Sequence, residues 1–485
     1  MSRLIVGPFN RVEGDLEVQL ELDAAGARVR EARVVSPMYR GFENLLLGRD
    51  PLDALVIVPR ICGICSVSQS VAAALALADA AGVTPPANGR HALNLMLACE
   101  NAADHLSHFY LFFLPDFTRP VYADRPWHAE ALRRFAAQAG ERGRAALAAR
   151  QRWFTLMGTL GGKWPHTHSI QPGGSSRAIE PAERLRLLSR VRELRTFLEQ
   201  TLLGDTLEAF QALPDEAALQ AWAEPRRQAD LPFFLQIGAD LGLETMGPGP
   251  GRWLSHGSFV QPDGSRVVPQ GVFRQGALGP LDVAAITEDA THAWLNEGDS
   301  APRPPTQGLT QPAADKPGAY SWNKAPRLAG EVAECGAIAR QLAAGQPLVR
   351  DAVARWGSTV HTRVLARVLE LTRLVAWMEG WLQALQPREP WCAPCPLPEL
   401  AEGMGLVEAA RGALGHWLRV ERGRIAQYQI IAPTSWNFSP RDAAGQPGPL
   451  EAALVGAPVR PGETTPVAVQ HIVRSFDPCM VCTVH

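Results

Sequence analysis

The sequence predicts an α-rich α+β fold, a long helical core carrying small peripheral β-sheets. Two rhythms and one interruption predict it. Leu16, Val18, Leu20 and Leu22 alternate with Glu17, Gln19 and Glu21, the period of a half-buried strand. Asp23-Ala-Ala-Gly26 supplies turn chemistry and Arg28 to Val35 the return strand, so an N-terminal β-hairpin is expected over about 12–36. Leu185, Leu188, Val191, Leu194, Leu198 and Leu202 recur at helical spacing between Pro181 and Leu203. Ala352 to Leu385 reads as a second long helix and Asn94 to Phe113 as a third, stopped by Pro115. The interruption is proline: Ser300 to Lys324 holds five and excludes regular helix. Pro248 to Pro280 mixes turns with short strands, and Trp417 to Val420 with Arg424 to Ile431 flank Gly423 as a late hairpin.

The chain has 485 residues, 47 basic against 49 acidic, for a formal charge of −2. That balance gives no electrostatic case for nucleic acid or an anionic membrane surface. The most apolar run, Val71 to Val83, contains Asp79 and is too short to cross a bilayer. Direct membrane insertion is therefore not expected. The first twenty residues carry Arg3, Arg11, Glu13 and Asp15 with no apolar signal core, which reads as cytoplasmic. A signal on a partner subunit would override that reading.

Six of the eight cysteines fall in C-x-x-C pairs: Cys62/Cys65, Cys392/Cys395 and Cys479/Cys482. Such clustering suggests metal or redox chemistry more than disulfide staples. Two thiolates three positions apart can face one ion, and Gly63 eases the turn between the first two. Zinc ribbons place their pairs roughly 15–20 residues apart, whereas these outer pairs stand at opposite ends of the chain. A structural zinc site, a functional metal cluster and unconnected thiols all remain open on spacing alone. Trp391-Cys-Ala-Pro-Cys395 has the spacing of a thioredoxin-type motif, but Pro387, Pro390, Pro396 and Pro398 around it favour a loop.

The residues flanking the outer pairs decide among these readings. Arg60-Ile-Cys-Gly-Ile-Cys65 and Asp477-Pro-Cys-Met-Val-Cys-Thr-Val-His485 resemble the two signature segments of nickel-iron hydrogenase large subunits. Further segments agree in the family's order: Arg11-Val-Glu-Gly14, Tyr39-Arg-Gly-Phe-Glu43, Asp104-His-Leu-Ser-His-Phe109, Gly161-Gly-Lys163 with Pro165-His166, Glu408-Ala-Ala-Arg-Gly-Ala-Leu-Gly-His416, and Pro433-Thr-Ser-Trp-Asn437. The resemblance spans residues 11–485 and implies one hydrogenase large-subunit-like domain over 1–485, with a metal-binding segment from about 405 to 485.

The resemblance implies an Ni-Fe(CN)2(CO) centre. Cys62 and Cys479 would be terminal on nickel, and Cys65 and Cys482 would bridge to an iron carrying CO and cyanide. Thr434 and the backbone near Ala432 would meet one cyanide and Arg411 the other, with Pro433 and Gln69 also in the surrounding shell. H2 would be split heterolytically into 2 H+ and 2 e−, with the Cys479 thiolate passing the proton to Glu13. Arg411, Asp104 and Asp477 would form a shell above the metals. Glu43, the Ile430 carbonyl and His485 resemble the family's Mg2+ site. Family large subunits are commonly cut after this histidine by maturation proteins; the chain is either the processed form or one encoded without a tail. Too few cysteines remain for an iron–sulfur relay, so the clusters are expected in a partner small subunit.

Three positions depart from the common pattern. Gln69 stands where histidine is usual, Ala410 where proline is, and Thr434 where serine is common. Gln69 resembles the regulatory branch, which senses hydrogen and signals to a histidine kinase, and so implies a low-turnover H2 sensor. An energy-conserving uptake enzyme is the alternative. Ile64 and Phe112 resemble bulky residues at the narrowing of a gas channel; plain core packing accounts for them equally. A redox-inert relative of the quinone-side subunit of respiratory complex I is the reading from another class, and the four metal thiolates argue against it.

Overall fold

The computed structural model describes residues 3–296, 298 and 302–483. The N-terminal hairpin is present and has gained a strand. β1 (Arg3–Val6), β2 (Glu17–Leu22) and β3 (Val29–Val35) form an antiparallel sheet in that order. Leu16, Val18, Leu20 and Leu22 are buried, as their alternation requires.

The apolar run lies in α1 (Ser66–Ala81), a core helix that begins one residue after Cys65. Among the described residues no helix is long and apolar enough to cross a membrane. α2 (Ala87–Ser107) starts earlier than its periodicity suggested and gives way to one wide turn, His108–Phe113. α3 (Pro181–Phe197) opens with a proline and a Glu180/Glu183 capping box. Its expected stripe is shifted: Leu185 is 64% exposed, and Leu187 takes its place inside with Val191 and Leu194. The long helix expected from Ala352 is two helices. Pro347–Trp356 ends at Gly357, whose φ of 70° turns the chain, and Thr359 caps a fresh start for α4 (Val360–Ala384).

The late hairpin also belongs to a larger sheet, β4 (Leu400–Ala409), β5 (Gly412–Glu421) and β6 (Arg424–Ile431), antiparallel in that order. Arg422 and Gly423 both adopt positive φ, 52° and 68°, the requirement of a two-residue hairpin turn. β4 lies directly on α1. A Cβ on Gly405 would meet the Ala72 carbonyl at 1.9 Å, and one on Gly403 the Ala76 carbonyl at 2.1 Å. Alanines on the helix and glycines on the strand thus let two backbones touch. Five short strands fill 252–279. Trp391 to Cys395 is a loop, extended along Gly173 and Ser175. α5 (Val467–Phe476) closes the chain and ends at Asp477, whose φ of 59° turns the backbone toward Cys479.

Candidate metal centre

The two chain ends meet. The Sγ atoms of Cys62, Cys65, Cys479 and Cys482 all lie within 4.8 Å of one another, and all four residues are buried. Cys65 and Cys482 approach to 3.1 Å, Cys479 and Cys482 to 3.0 Å, and Cys62 and Cys479 to 3.4 Å. Backbone bonds hold the ends together. The Glu13 N–H donates to the Pro478 carbonyl (3.3 Å), and the Met480 N–H donates to the Glu13 carbonyl (2.7 Å). Gly14, at φ 78°, sits so close to Val481 that a Cβ would meet its nitrogen at 2.9 Å. This is the physical reason for glycine in Arg11-Val-Glu-Gly14. Arg40 joins both pairs, donating to the Ile61 carbonyl at 2.6 Å and to the Val481 carbonyl.

The donor set fits a soft metal ion. Sulfurs this close cannot all ionise by themselves: hydrogen bonds from Cys479, Cys482 and Cys65 hold Cys62 well below an ordinary thiol. The same contacts push Cys65 well up, and burial does so for Cys479. A shared cation removes that conflict, since it stabilises every thiolate at once.

Above the sulfurs lies a buried ionic lid. Arg411 donates twice to Asp104, at 2.7 and 3.0 Å, and also to the Asp477 carbonyl (3.0 Å) and carboxylate (3.4 Å). Burial opposes its charge, but Asp104 and Asp477 hold the guanidinium well above its ordinary range. Arg367 reaches the other Asp477 oxygen at 3.5 Å and the Phe476 carbonyl at 2.8 Å. Thr434 accepts from the Cys479 N–H at 3.1 Å. It stands in the short helix Pro433–Asn437, which Ala432 caps. Glu13 is half-buried; burial pushes its carboxyl up, Cys62 adds to this, and Arg411 and Arg40 pull against it.

Gln69 lies one helical turn beyond Cys65 and pairs with His416 Nε2 at 2.8 Å through its carbonyl oxygen. An amide oxygen only accepts, so this pairing suits the Nε2-protonated tautomer; His416 Nδ1 meets the Tyr428 hydroxyl at 2.8 Å. Glu43 accepts from the Ile430 N–H at 2.8 Å and from the Thr310 hydroxyl. Because N–H and C=O of a strand residue point the same way, the Ile430 carbonyl also faces the Glu43 side, on the outer edge of β6. His485 lies outside the described residues. Ile64 packs at the margin of the core; Phe112 is half-buried and its carbonyl accepts from Arg11 at 2.9 Å. Cys99 and Cys335 are buried apart, Cys392 is exposed, and residues three apart in an extended chain face opposite sides.

Sequence reasoning missed several residues here. Arg40 stands inside a quoted motif, but nothing local marks it as a clamp. Arg367 and Glu100 lie in helices without a motif role. Glu408, quoted only for its segment, joins a buried network in which Arg340 binds Glu408 at 2.7 Å and Glu370 at 2.5 Å, while His105 meets Glu370 at 2.9 Å. A charged residue at a core position of a helical stripe was the available signal in each helix.

Comparison with known proteins agrees with this geometry. The family model described as nickel-dependent hydrogenase matches residues 40–140 and 144–485. The periplasmic NiFeSe hydrogenase large subunit of Desulfomicrobium baculatum is 30% identical, over 100% of this chain and 95% of the relative. Hydrogenase-2 large chain of Escherichia coli is 27% identical (100% and 97%), and the uptake hydrogenase large subunit of Rubrivivax gelatinosus 26% (100% and 95%). A solved structure of the Desulfomicrobium baculatum NiFeSe hydrogenase superposes with a TM-score of 0.87 at 28% identity, and one from Desulfovibrio vulgaris Hildenborough with 0.85 at 29%, each over the whole of both chains. With its four cysteines gathered as a nickel-iron site requires, this chain belongs to the nickel-dependent hydrogenase family.

Proposed function

We propose that the chain is the H2-oxidising large subunit of an uptake-type nickel-iron hydrogenase. The observation that carries this is the convergence of four buried cysteine sulfurs from opposite chain ends beside Glu13. Cys62 and Cys479 would hold nickel, and Cys65 and Cys482, 3.1 Å apart, would hold both nickel and iron. When bound, the nickel-iron group supplies the two-electron chemistry on H2.

The chain's own residues handle the proton and the environment. The Cys479 sulfur is the first proton acceptor and Glu13, paired with it along the backbone, is the next. A carboxyl pushed upward by burial is a better proton carrier near neutrality than an exposed one. Arg411, fixed from two sides, aims a permanent positive charge at the sulfurs. Thr434 and the backbone near Ala432 would meet one cyanide of that group, with Pro433 beside them. Glu43 and the Ile430 carbonyl present hard oxygen donors suited to Mg2+, with His485 as the third expected ligand. Ile64 and Phe112 are assigned to the narrowing of the gas path.

Electrons leave through a small subunit holding the iron–sulfur clusters, because the remaining cysteines are scattered among the described residues. One of the relatives reported above, from Rubrivivax gelatinosus, is an uptake hydrogenase by name, which favours uptake over sensing. A sensor coupled to a histidine kinase is the second reading, favoured by Gln69 and its amide pairing with His416. The Desulfomicrobium relative is periplasmic by name, so a cytoplasmic location belongs to the proposal, and cell fractionation tests it. Loading by maturation proteins belongs to it as well. The experiment is H2-dependent dye reduction by the assembled enzyme. Sustained rapid turnover supports uptake; slow turnover with an intact metal centre supports sensing; no H2-dependent electron transfer by metal-loaded protein removes both.

A further inference from the structure

Glu100 lies on α2, one turn before Asp104, and is fully buried. Its carboxylate points at the first turn of α1, which begins next to Cys65. One oxygen accepts from the Val67 N–H (2.8 Å), the Trp164 indole N–H (3.1 Å) and the Ser66 hydroxyl (3.4 Å). The other accepts from the Ser68 N–H and the Ser68 hydroxyl, both at 2.9 Å. Among the described residues no lysine or arginine side chain bonds to it. Each oxygen faces at least one N–H, so an amide in either orientation would aim a hydrogen at a donor, whereas a protonated carboxyl could still donate to the Ser66 or Ser68 hydroxyl. Burial pushes the carboxyl up to about 7 against the pull of the Val67 and Ser68 N–H groups, and the positive end of the 16-residue α1 favours its charged form.

The segments joined by this carboxylate border the metal centre. Cys65 is the residue just before α1. Trp164 leads through Pro165 to His166, whose N–H donates to the Ser66 hydroxyl at 3.4 Å. Trp164 is itself stacked on Phe154 at 4.2 Å between ring centres. Neither Glu100 nor these contacts belong to the proton route or to the lid of Arg411.

We propose that Glu100 is a positioning residue: a carboxyl clamp that fixes the first turn of α1, and with it the direction of the Cys65 thiolate, against the Trp164–His166 loop. The proposal rests on the metal-centre reading and deepens it. Outer partners that orient metal ligands typically alter metal affinity or activity by roughly 10–100-fold when removed.

The test compares Glu100→Gln with Glu100→Asp in the assembled enzyme, reading nickel content, the infrared bands of metal-bound CO and cyanide, and amide exchange at Val67 and Ser68. The glutamine variant should exchange faster there, hold roughly tenfold less nickel and shift the bands of what remains. The aspartate variant keeps the carboxyl oxygens as acceptors and should recover most of the nickel. Wild-type nickel, bands and exchange in Glu100→Gln would overturn the clamp. So would equal loss in both variants, which marks a packing role. If Glu100→Gln does not fold, Trp164→Phe with Ser68→Ala removes two donors; shifted bands support the clamp and unshifted bands overturn it. A wild type without nickel would remove the metal-centre reading instead, and exchange at Val67 and Ser68 would still decide the clamp.

Discussion

Glu13 and Cys479 are neighbours in a parallel β-bridge, the Met480 N–H donating to the Glu13 carbonyl at 2.7 Å. Only backbone atoms make this bridge, so the Glu13 carboxyl is left free for chemistry while its Cα is fixed beside the sulfur. Glu13→Gln should therefore keep the pairing and the metals yet slow H2 oxidation by roughly 10²–10⁴-fold, the usual worth of a positioned proton carrier. Dye-reduction rates set against nickel content check this. An undiminished rate removes Glu13 from the route.

Arg411→Lys keeps a positive charge but loses the two-pronged grip on Asp104. The expected result is a rate lower by roughly 10–100-fold at unchanged nickel content. Full activity in the lysine variant would show that charge suffices and orientation does not matter.

Arg40 bonds one carbonyl beside each cysteine pair. Arg40→Ala should let the two loops separate and speed nickel loss to a chelator by about tenfold. Chelation kinetics on the purified enzyme measure it directly.

These three residues show how unevenly the site could be read beforehand. The cysteine pairs and Glu13 stand in motifs whose spacing and neighbours carry meaning. Arg40, Arg367 and Glu100 act on partners far away in sequence; a charge on a buried helical stripe marks Arg367 and Glu100 as paired but does not name the partner. The fold divides the same way. β2, β3 and α3 follow from periodicity. β4 escaped because Gly403 and Gly405 look like loop residues, although they serve the close approach to α1. The break at Gly357 escaped because the apolar rhythm continues across it, and Leu185 misled because helical spacing does not say which of several leucines turns inward.

Asp116 is buried among Arg474 (2.6 Å), Arg119 (3.1 Å) and Arg11. Burial alone would push its carboxyl up, but Arg474 and Arg11 outweigh burial and hold it at about 2. A folded value below the unfolded one, about 3.9, means that the stabilisation is complete above that range. It is lost as pH falls from roughly 4 toward 2. Asp116→Asn should lower stability at neutral pH and flatten the acid limb of the stability curve. Thermal melting as a function of pH checks this; an unchanged acid limb would show that the cluster contributes nothing to it.

Ile64→Val together with Phe112→Leu should widen the assigned gas path and raise inhibition by oxygen. Activity under graded oxygen measures the effect. Equal inhibition in variant and wild type would leave both side chains as packing residues.

The central claim is that Cys62, Cys65, Cys479 and Cys482 jointly bind nickel. Nickel-edge X-ray absorption on the purified, assembled enzyme tests it most directly. A nickel shell of four sulfurs is expected in the wild type, with one fewer in Cys62→Ser. A shell of nitrogen and oxygen, or protein that carries zinc alone at these cysteines, would contradict it.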